Sequence, residues 1–282
     1  MRFEKMYNIE PLDDTEPWYT AEAQKRWEES VLKDLWKSFE EEIGNPNVDE
    51  MQGMAESLTT GMPEYGVKDT LDAYWRKEYG FTRHFQRYVL EWLQTIDTSG
   101  ATVKKKDLVG NTTDLFMNFN YTDTLERVYG INNVLHIHGG VPSCTAVSPI
   151  MGHGNKELIE TYRERARAAR EEFIEWEESI CNAVANYEQV LFKDTDKIIL
   201  DNRDFFSSLS DIGRVVCLGL SFGDVDVPYL KRIDESVGAT TKWVVYYHDS
   251  DSLETFKSVF KTIGISKKYD TVFLQSDSFW DK

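Results

Sequence analysis

Two blocks in which strand patterns alternate with short helix patterns, parted by a long charged helical stretch, predict an α/β fold: a parallel sheet carrying a helical subdomain. The first block centres on residues 114–140, DLFMNFNYTDTLERVYGINNVLHIHGG. There an apolar run at 115–119 ends in the polar turn Asn120-Tyr121-Thr122-Asp123, passes into a helix over 124–129 and returns as a strand over 134–138. The second block is the last third of the chain: RVVCLGL at 214–220, a helix over 228–237, KWVVYY at 242–247, a helix over 252–263 and a strand over 271–274. Strands joined by helices of about ten residues imply right-handed crossovers and therefore parallel pairing. Ligands of such sheets settle beyond the carboxyl ends of the strands, so Asn120 and His138 are expected to face one crevice.

Composition sets the limits. The 282 residues are 41% hydrophobic and 13% aromatic, enough for a sizeable core. Forty-nine acidic against thirty-two basic side chains give a formal charge of −17, which repels phosphate backbones and sets nucleic acid aside as a partner. Cys144, Cys181 and Cys217 form no CxxC pair and suit a reducing cytoplasm. No signal-peptide pattern opens the chain and no apolar run approaches the roughly 20 residues of a membrane helix, so a cytoplasmic protein without a membrane partner is expected.

Along the chain, residues 1–17 are polar and aperiodic and hold Pro11 and Pro17, an irregular lead-in. From Thr20, the residues Trp27, Val31, Leu35, Phe39 and Ile43 fall four apart, the stripe of an amphipathic helix ending near Gly44-Asn45-Pro46. Residues 47–65 read as a loop. A second helical region begins near Asp69 with Leu71, Tyr74 and Trp75, and continues past Gly80 with Phe85, Tyr88, Val89, Trp92 and Ile96. Aromatic stripes at this spacing are core rather than a stacking platform. Residues 98–111, with Gly100, Gly110 and the Lys104-Lys105-Lys106 run, read as a surface connection. Residues 139–154 are rich in Gly, Pro and Ser, and their apolar piece at 147–151 reads as a small strand or a loop over the crevice.

The stretch 155–193 lacks Gly and Pro and reads as one long helical segment. Its seam of Tyr162, Ala166, Ala169, Phe173, Trp176, Ile180, Val184, Tyr187 and Leu191 steps in alternating fours and threes, as in a helix lying along a partner helix. The N-terminal helices offer matching aromatic faces; the same seam also suits a second copy of the chain or another protein. The sequence thus divides into an N-terminal helical region (1–111), a first block of the α/β core (112–151), a long helical insertion (152–196) and a second block of the core (197–282).

Several residue types here can carry chemistry. Asn120 both donates and accepts hydrogen bonds without charge, which suits holding a ribose hydroxyl or a water; it equally suits capping the next helix. His138 titrates near neutral pH and can act as a general base, and Gly139 beside it clears room for a ligand. His136 and His138 are two apart, hence on one strand face, and His153 follows in a Gly-His-Gly turn. No fixed-spacing carboxylate accompanies this trio, and no metal site is assigned. The turn Ser221-Phe222-Gly223-Asp224-Val225-Asp226 lies between a strand and a helix with Pro in its first turn, a place for a phosphate or ribose. Asp224 and Asp226 are also explained by the positive end of the helix dipole.

FNYTDTLERVYG, HIHG, the PIMGHG turn and LGLSFGDVDVPYL together resemble the AbiH family of bacteriophage abortive-infection proteins, over most of the chain from the LWKSFEEEIG helix onward. AbiH proteins look like distant relatives of sirtuins and sirtuin-like NAD-cleaving defence domains. In those, a Thr/Gln-Asn-x-Asp motif, a His-Gly and a Gly-x-Ser turn line an NAD pocket. The resemblance implies a Rossmann-like (sirtuin-like) sheet. It also implies that Asn120 and His138 stand at the catalytic positions and that Gly219 with Ser221 forms the Gly-x-Ser turn. Thr122 holds the motif's Asp position, with an acid only at Asp123. Thr122, Asp123, Gly139, Gly219, Ser221, Asp224 and Asp226 are the residues expected to bind NAD or a related nucleotide. The family opens with a strand and a Gly-Asn-Gly-Phe-Asp turn; residues 1–17 hold no glycine, so that segment is expected upstream of Met1.

The function implied is antiphage defence with N-glycosidic cleavage of NAD: Asn120 positions a water or ribose hydroxyl and His138 removes a proton. Two other classes stay open. One is a non-catalytic phage-sensing or interaction module working through the seam at 162–191, with a phage or host protein or a second copy as partner. The other is a metal-assisted hydrolase using His136, His138 and His153.

Overall fold

The computed structural model describes residues 46–63, 65–265 and 271–280; from Val48 onward they belong to one compact unit, Val48–Lys282. The expected lead-in and the helix from Thr20 lie outside the described residues.

Helix α1, Val48–Thr59, stands where a loop was expected. Gly53 and the neighbouring Pro46 disguise it. What forms it is Met51 and Ala55, one turn apart and both buried, with Asp49 and Glu50 at its positive end. α2, Val67–Glu78, buries Leu71 and Trp75, and a 3₁₀ turn at Tyr79–His84 leads into α3, Phe85–Leu93, which buries Phe85, Val89 and Leu93. Strand β1, Phe116–Asn118, helix α4, Thr124–Tyr129, and strand β2, Val134–His136, form the expected strand-helix-strand unit. β1 and β2 pair in parallel with Asn118 opposite His136, and Gly130 closes α4 in the left-handed conformation (φ 66°). The second strand is two residues shorter than predicted, so His138 sits in the turn beyond it.

The long helical segment is two helices, α5, Lys156–Glu171, and α6, Glu175–Leu191. The break falls at Phe173, in the left-handed region (φ 59°) without a glycine to announce it. The helices form an antiparallel hairpin: Arg170 meets Glu178 at 2.7 Å near the turn, Arg165 meets Glu177 at 3.1 Å, and Arg163 donates to Gln189 at 2.9 Å. Most seam residues are consumed within the chain. Ala166 and Ala169 are buried on α5, and Ile180 and Val184 pack with Met51, Ala55, Leu71 and Trp75 in a helical core. Polar bonds fix α2 on α6: Lys68 N–H donates to Glu175 (3.0 Å), and Ser179 donates to Asp72 (2.5 Å), which also holds the Lys68 ammonium (2.7 Å).

Short helices α7, Thr195–Asp201, and α8, Arg203–Ser207, lead to β3, Arg214–Leu218. Then follow α9, Val227–Ser236, β4, Lys242–Tyr247, α10, Ser250–Ile263, β5, Thr271–Gln275, and α11, Asp277–Trp280. The strand order is β3-β4-β5, all parallel. A capping box of Asp249 and Ser252 starts α10. The three-lysine run packs on the chain end, Lys104 over Trp280 and Lys105 over Phe279.

The result is a mixed α/β protein with parallel strands in two small sheets. The two sheets share one core. Ile137, with Leu115, Met117, Phe119 and Leu135 from the first unit, packs with Cys217, Tyr229, Trp243, Val245, Phe256 and Phe260 from the second. Among the described residues no helix is long and apolar enough to cross a membrane.

Candidate functional site

His138 occupies the turn just past β2, where Ile137 N–H still donates to Asn118 O (3.1 Å) and Gly139 N–H turns back to His136 O (3.0 Å). Gly139 has φ 70°, and a Cβ there would collide with Ser148 O and lie 2.7 Å from Val147 O. The space beside this glycine is therefore filled by the chain's own carbonyls rather than left for a ligand. The loop that fills it is bound to the strand ends: Gly140 N–H donates to Val147 O (3.0 Å), Ile150 N–H to His138 O (2.8 Å) and Tyr121 Oη to Ile150 O (3.2 Å). The 147–151 piece is a loop.

The Gly-His-Gly turn supplies the next part. A Cβ on Gly152 would collide with Leu191 O, so only glycine lets residue 153 pair with the end of α6. His153 N–H donates to Leu191 O (3.1 Å) and Lys193 N–H donates to His153 O (2.8 Å), a one-residue parallel bridge. Gln86 on α3 clamps the turn from the other side, its amide nitrogen donating to Met151 O (2.8 Å) and its amide oxygen accepting from Met151 N–H (3.2 Å). The bridge delivers Lys193, only 1% exposed, to within 3.1 Å of His138 Nδ1. Sequence reasoning missed Lys193, because the contact arises from pairing between segments forty residues apart and has no local signature.

His138, 3% exposed, is ringed by Phe119 (5.4 Å between centroids), Tyr229 (5.2 Å) and Tyr121 (6.4 Å). Burial first, and the Lys193 charge second, push its pKa down to about 2, so the imidazole is neutral at neutral pH. An ammonium on Nδ1 makes that nitrogen the acceptor and leaves the proton on Nε2. Among the described residues Nε2 has no hydrogen-bond partner; Asp226 Oδ1 stands 4.0 Å away, beyond bonding distance.

Asp226 is buried and ends the turn after β3, at the start of α9. Phe222 anchors that turn in the left-handed region (φ 55°), its ring packed on Phe256 (4.4 Å) and Phe260 (5.6 Å). Gly219 (φ 67°), Ser221 and Asp224 lie along the same turn and are exposed. Val225 lies against Gly154, which brings the two glycine-containing turns together.

The other predicted residues are placed differently. Asn120 is exposed with its backbone pinned: its N–H donates to Asn118 Oδ1 (3.0 Å) and its carbonyl accepts from His136 Nδ1 (3.2 Å). Asp123 accepts from Ser143 (2.7 Å) and Thr98 (3.4 Å), and the Thr122 and Thr124 hydroxyls are 3.1 Å apart. His136, His138 and His153 serve separate partners. His136 Nε2 meets Glu126 (2.7 Å), and His153 Nε2 meets the buried Glu188 carboxylate (2.8 Å) while its Nδ1 accepts from Asn155 N–H (3.2 Å). Among the described residues no group of three His, Cys, Asp or Glu side chains is placed to hold a metal. Cys144 is no ready nucleophile, since burial, then Glu126 and Asp123, push its thiol up to about 11.

The model of the family described as Bacteriophage abortive infection AbiH matches residues 12–247. No curated protein and no solved structure matches the chain. The matched span takes in β1, the His138 turn, the Gly-His-Gly turn, Lys193 and the Asp226 turn. The chain belongs to the AbiH family of bacteriophage abortive-infection proteins.

Proposed function

We propose that this protein acts in antiphage defence through a nucleotide of the NAD class, bound at the carboxyl ends of β1, β2 and β3 and cleaved at its N-glycosidic bond. The observation that carries the reading is the buried Nε2 of His138, without a hydrogen-bond partner among the described residues and 4.0 Å from Asp226 Oδ1. A buried polar group left unsatisfied costs about 1–3 kcal/mol. Here it sits at the strand ends, where ligands of parallel sheets bind, and a ligand hydroxyl relieves that penalty.

The surrounding residues fit such a substrate. Asn120, exposed and with its backbone pinned, suits holding a ribose hydroxyl or the attacking water. Ser221 and Gly219, exposed on the turn before α9, suit the sugar-phosphate portion, as does the helix start itself. Thr122 and Asp123 follow Asn120 in the same turn, Asp123 held by Ser143 and Thr98, and suit the ribose side of the ligand. Purified full-length protein, with and without phage components, should release nicotinamide from NAD. Asn120→Ala and His138→Ala should each lower that release roughly tenfold to a hundredfold, the range of a positioned acid/base group. No release under any condition, with both variants merely less stable, would overturn the reading.

One observation favours a second reading, an interaction module. Phe173 at the hairpin turn is 90% exposed and Trp176 beside it 41%, an aromatic tip that suits a phage or host protein or a second copy. A hairpin-tip variant, Phe173→Ser with Trp176→Ser, that loses defence while keeping nicotinamide release would assign partner contact to this end of the seam.

A further inference from the structure

We propose that His138 works as a neutral hydrogen-bond donor rather than as the base, that Lys193 is the positioning residue fixing it in that form, and that Asp226 accepts the proton of the attacking water. The proposal rests on the nucleotide-cleaving reading above and assigns the roles within that site.

Donor and acceptor capacity assigns the roles. The Lys193 ammonium has protons to give and no lone pair, so at 3.1 Å it can only donate to His138 Nδ1. That commits Nδ1 as acceptor and places the imidazole proton on Nε2. The carboxylate of Asp226 across the 4.0 Å gap is an acceptor only, with about four lone-pair sites on its two oxygens. The unsatisfied side is Nε2–H; a group that accepts from it within the 4.0 Å gap and meets Oδ1 there must donate to the carboxylate, and a hydroxyl does both. An anion is disfavoured there by the carboxylate, and an ammonium by the imidazole proton and Lys193. Among the described residues, the charged and titratable groups facing His138 are Lys193, Asp226, Tyr121 and Tyr229, and none of these four reverses this polarity.

In the hydrolytic step, the oxygen of water bonds to the anomeric carbon. The carbon–nitrogen bond breaks with its electron pair going to the pyridinium nitrogen, which releases neutral nicotinamide, and the proton lost by the water passes to Asp226. Nε2–H of His138 holds the water's second lone pair and thereby its direction. Lys193 touches neither water nor sugar. It acts by keeping Nε2 protonated, and the bridge from its backbone to His153 sets the point from which its buried side chain reaches the imidazole.

The test combines two readouts on the full chain. Nitrogen-15 NMR of the histidine rings should show His138 as the Nε2–H tautomer between pH 6 and 8, and Lys193→Met should shift it toward a mixture of tautomers. A wild-type ring protonated on Nδ1 overturns the assignment, whatever the protein does to NAD. In nicotinamide release, Asp226→Asn should lose at least about a hundredfold, and His138→Gln, which keeps a neutral N–H donor, should retain at least about tenfold more activity than His138→Ala. Asp226→Asn within twofold of wild type, or His138→Gln as inactive as His138→Ala in a folded protein, would overturn the roles given to them. The Nε2–H tautomer in a protein that never releases nicotinamide would overturn the cleavage reading and Asp226 as base, and leave Lys193 as the residue that fixes His138.

Discussion

His138 and His153 lie fifteen residues apart and are both buried, yet their partners drive them in opposite directions. His138 faces a cation. The folded chain holds it well below its unfolded value near 6.5, so as the pH falls below that value the unfolded chain takes up a proton that the folded chain refuses. Stability should drop on acidification by at most about 1.4 kcal/mol per pH unit from this group. For His153, burial alone would lower the pKa, but the hydrogen bond and charge of Glu188 outweigh it and the net shift is upward. Its contribution is present below the unfolded value and is lost as the pH rises through the folded one. Urea unfolding at pH 5.5 and 7.5 checks both signs: relative to wild type, His138→Gln should gain stability at the lower pH and His153→Gln should lose it there. A common direction for the two variants would contradict these surroundings.

At the scale of elements, helices and strands with a strong period were legible in the sequence, and those that depend on a distant partner were not. KWVVYY gave β4 and TLERVY gave α4 with the bounds found in the structure. By contrast α1 was hidden by Gly53 and reads as helix only once Ile180 and Val184 are there to cover Met51 and Ala55. The hairpin break was equally hidden, because Phe173 takes a left-handed conformation normally signalled by glycine. The seam itself was correctly seen as helix-packing, but along two helices folded on each other. The loop from 139 to 154 has no regular structure, and its order comes from bonds to other elements. Gln86→Ala removes both bonds to Met151 and should speed amide exchange at Met151 and His153 while leaving β3–β5 unchanged. Unchanged exchange at those two amides would show that Leu191 and Lys193 suffice to hold the turn.

On the scale of the whole molecule, the candidate site exists because one core serves two sheets. Phe119 follows β1, His138 follows β2, and Tyr229 belongs to α9 after β3; all three rings touch, at 5.2–5.7 Å. Strand-end reasoning places Asn120 and His138 just beyond β1 and β2, and the turn before α9 is read separately as the place of Asp226. Neither reading pairs His138 with Lys193, which reaches the site through a backbone bridge between two non-adjacent segments, nor shows that Gly139 is required by the loop above it. The metal-assisted alternative, which needed three histidines in one place, meets three histidines with three separate sets of partners. The central claim, a nucleotide seated at these strand ends, is tested most directly by hydrogen exchange of the full chain with and without NAD. The account predicts added protection at residues 119–123, 137–140 and 219–227, which Asp226→Asn weakens; protection confined to other segments, or none at saturating NAD, would contradict it.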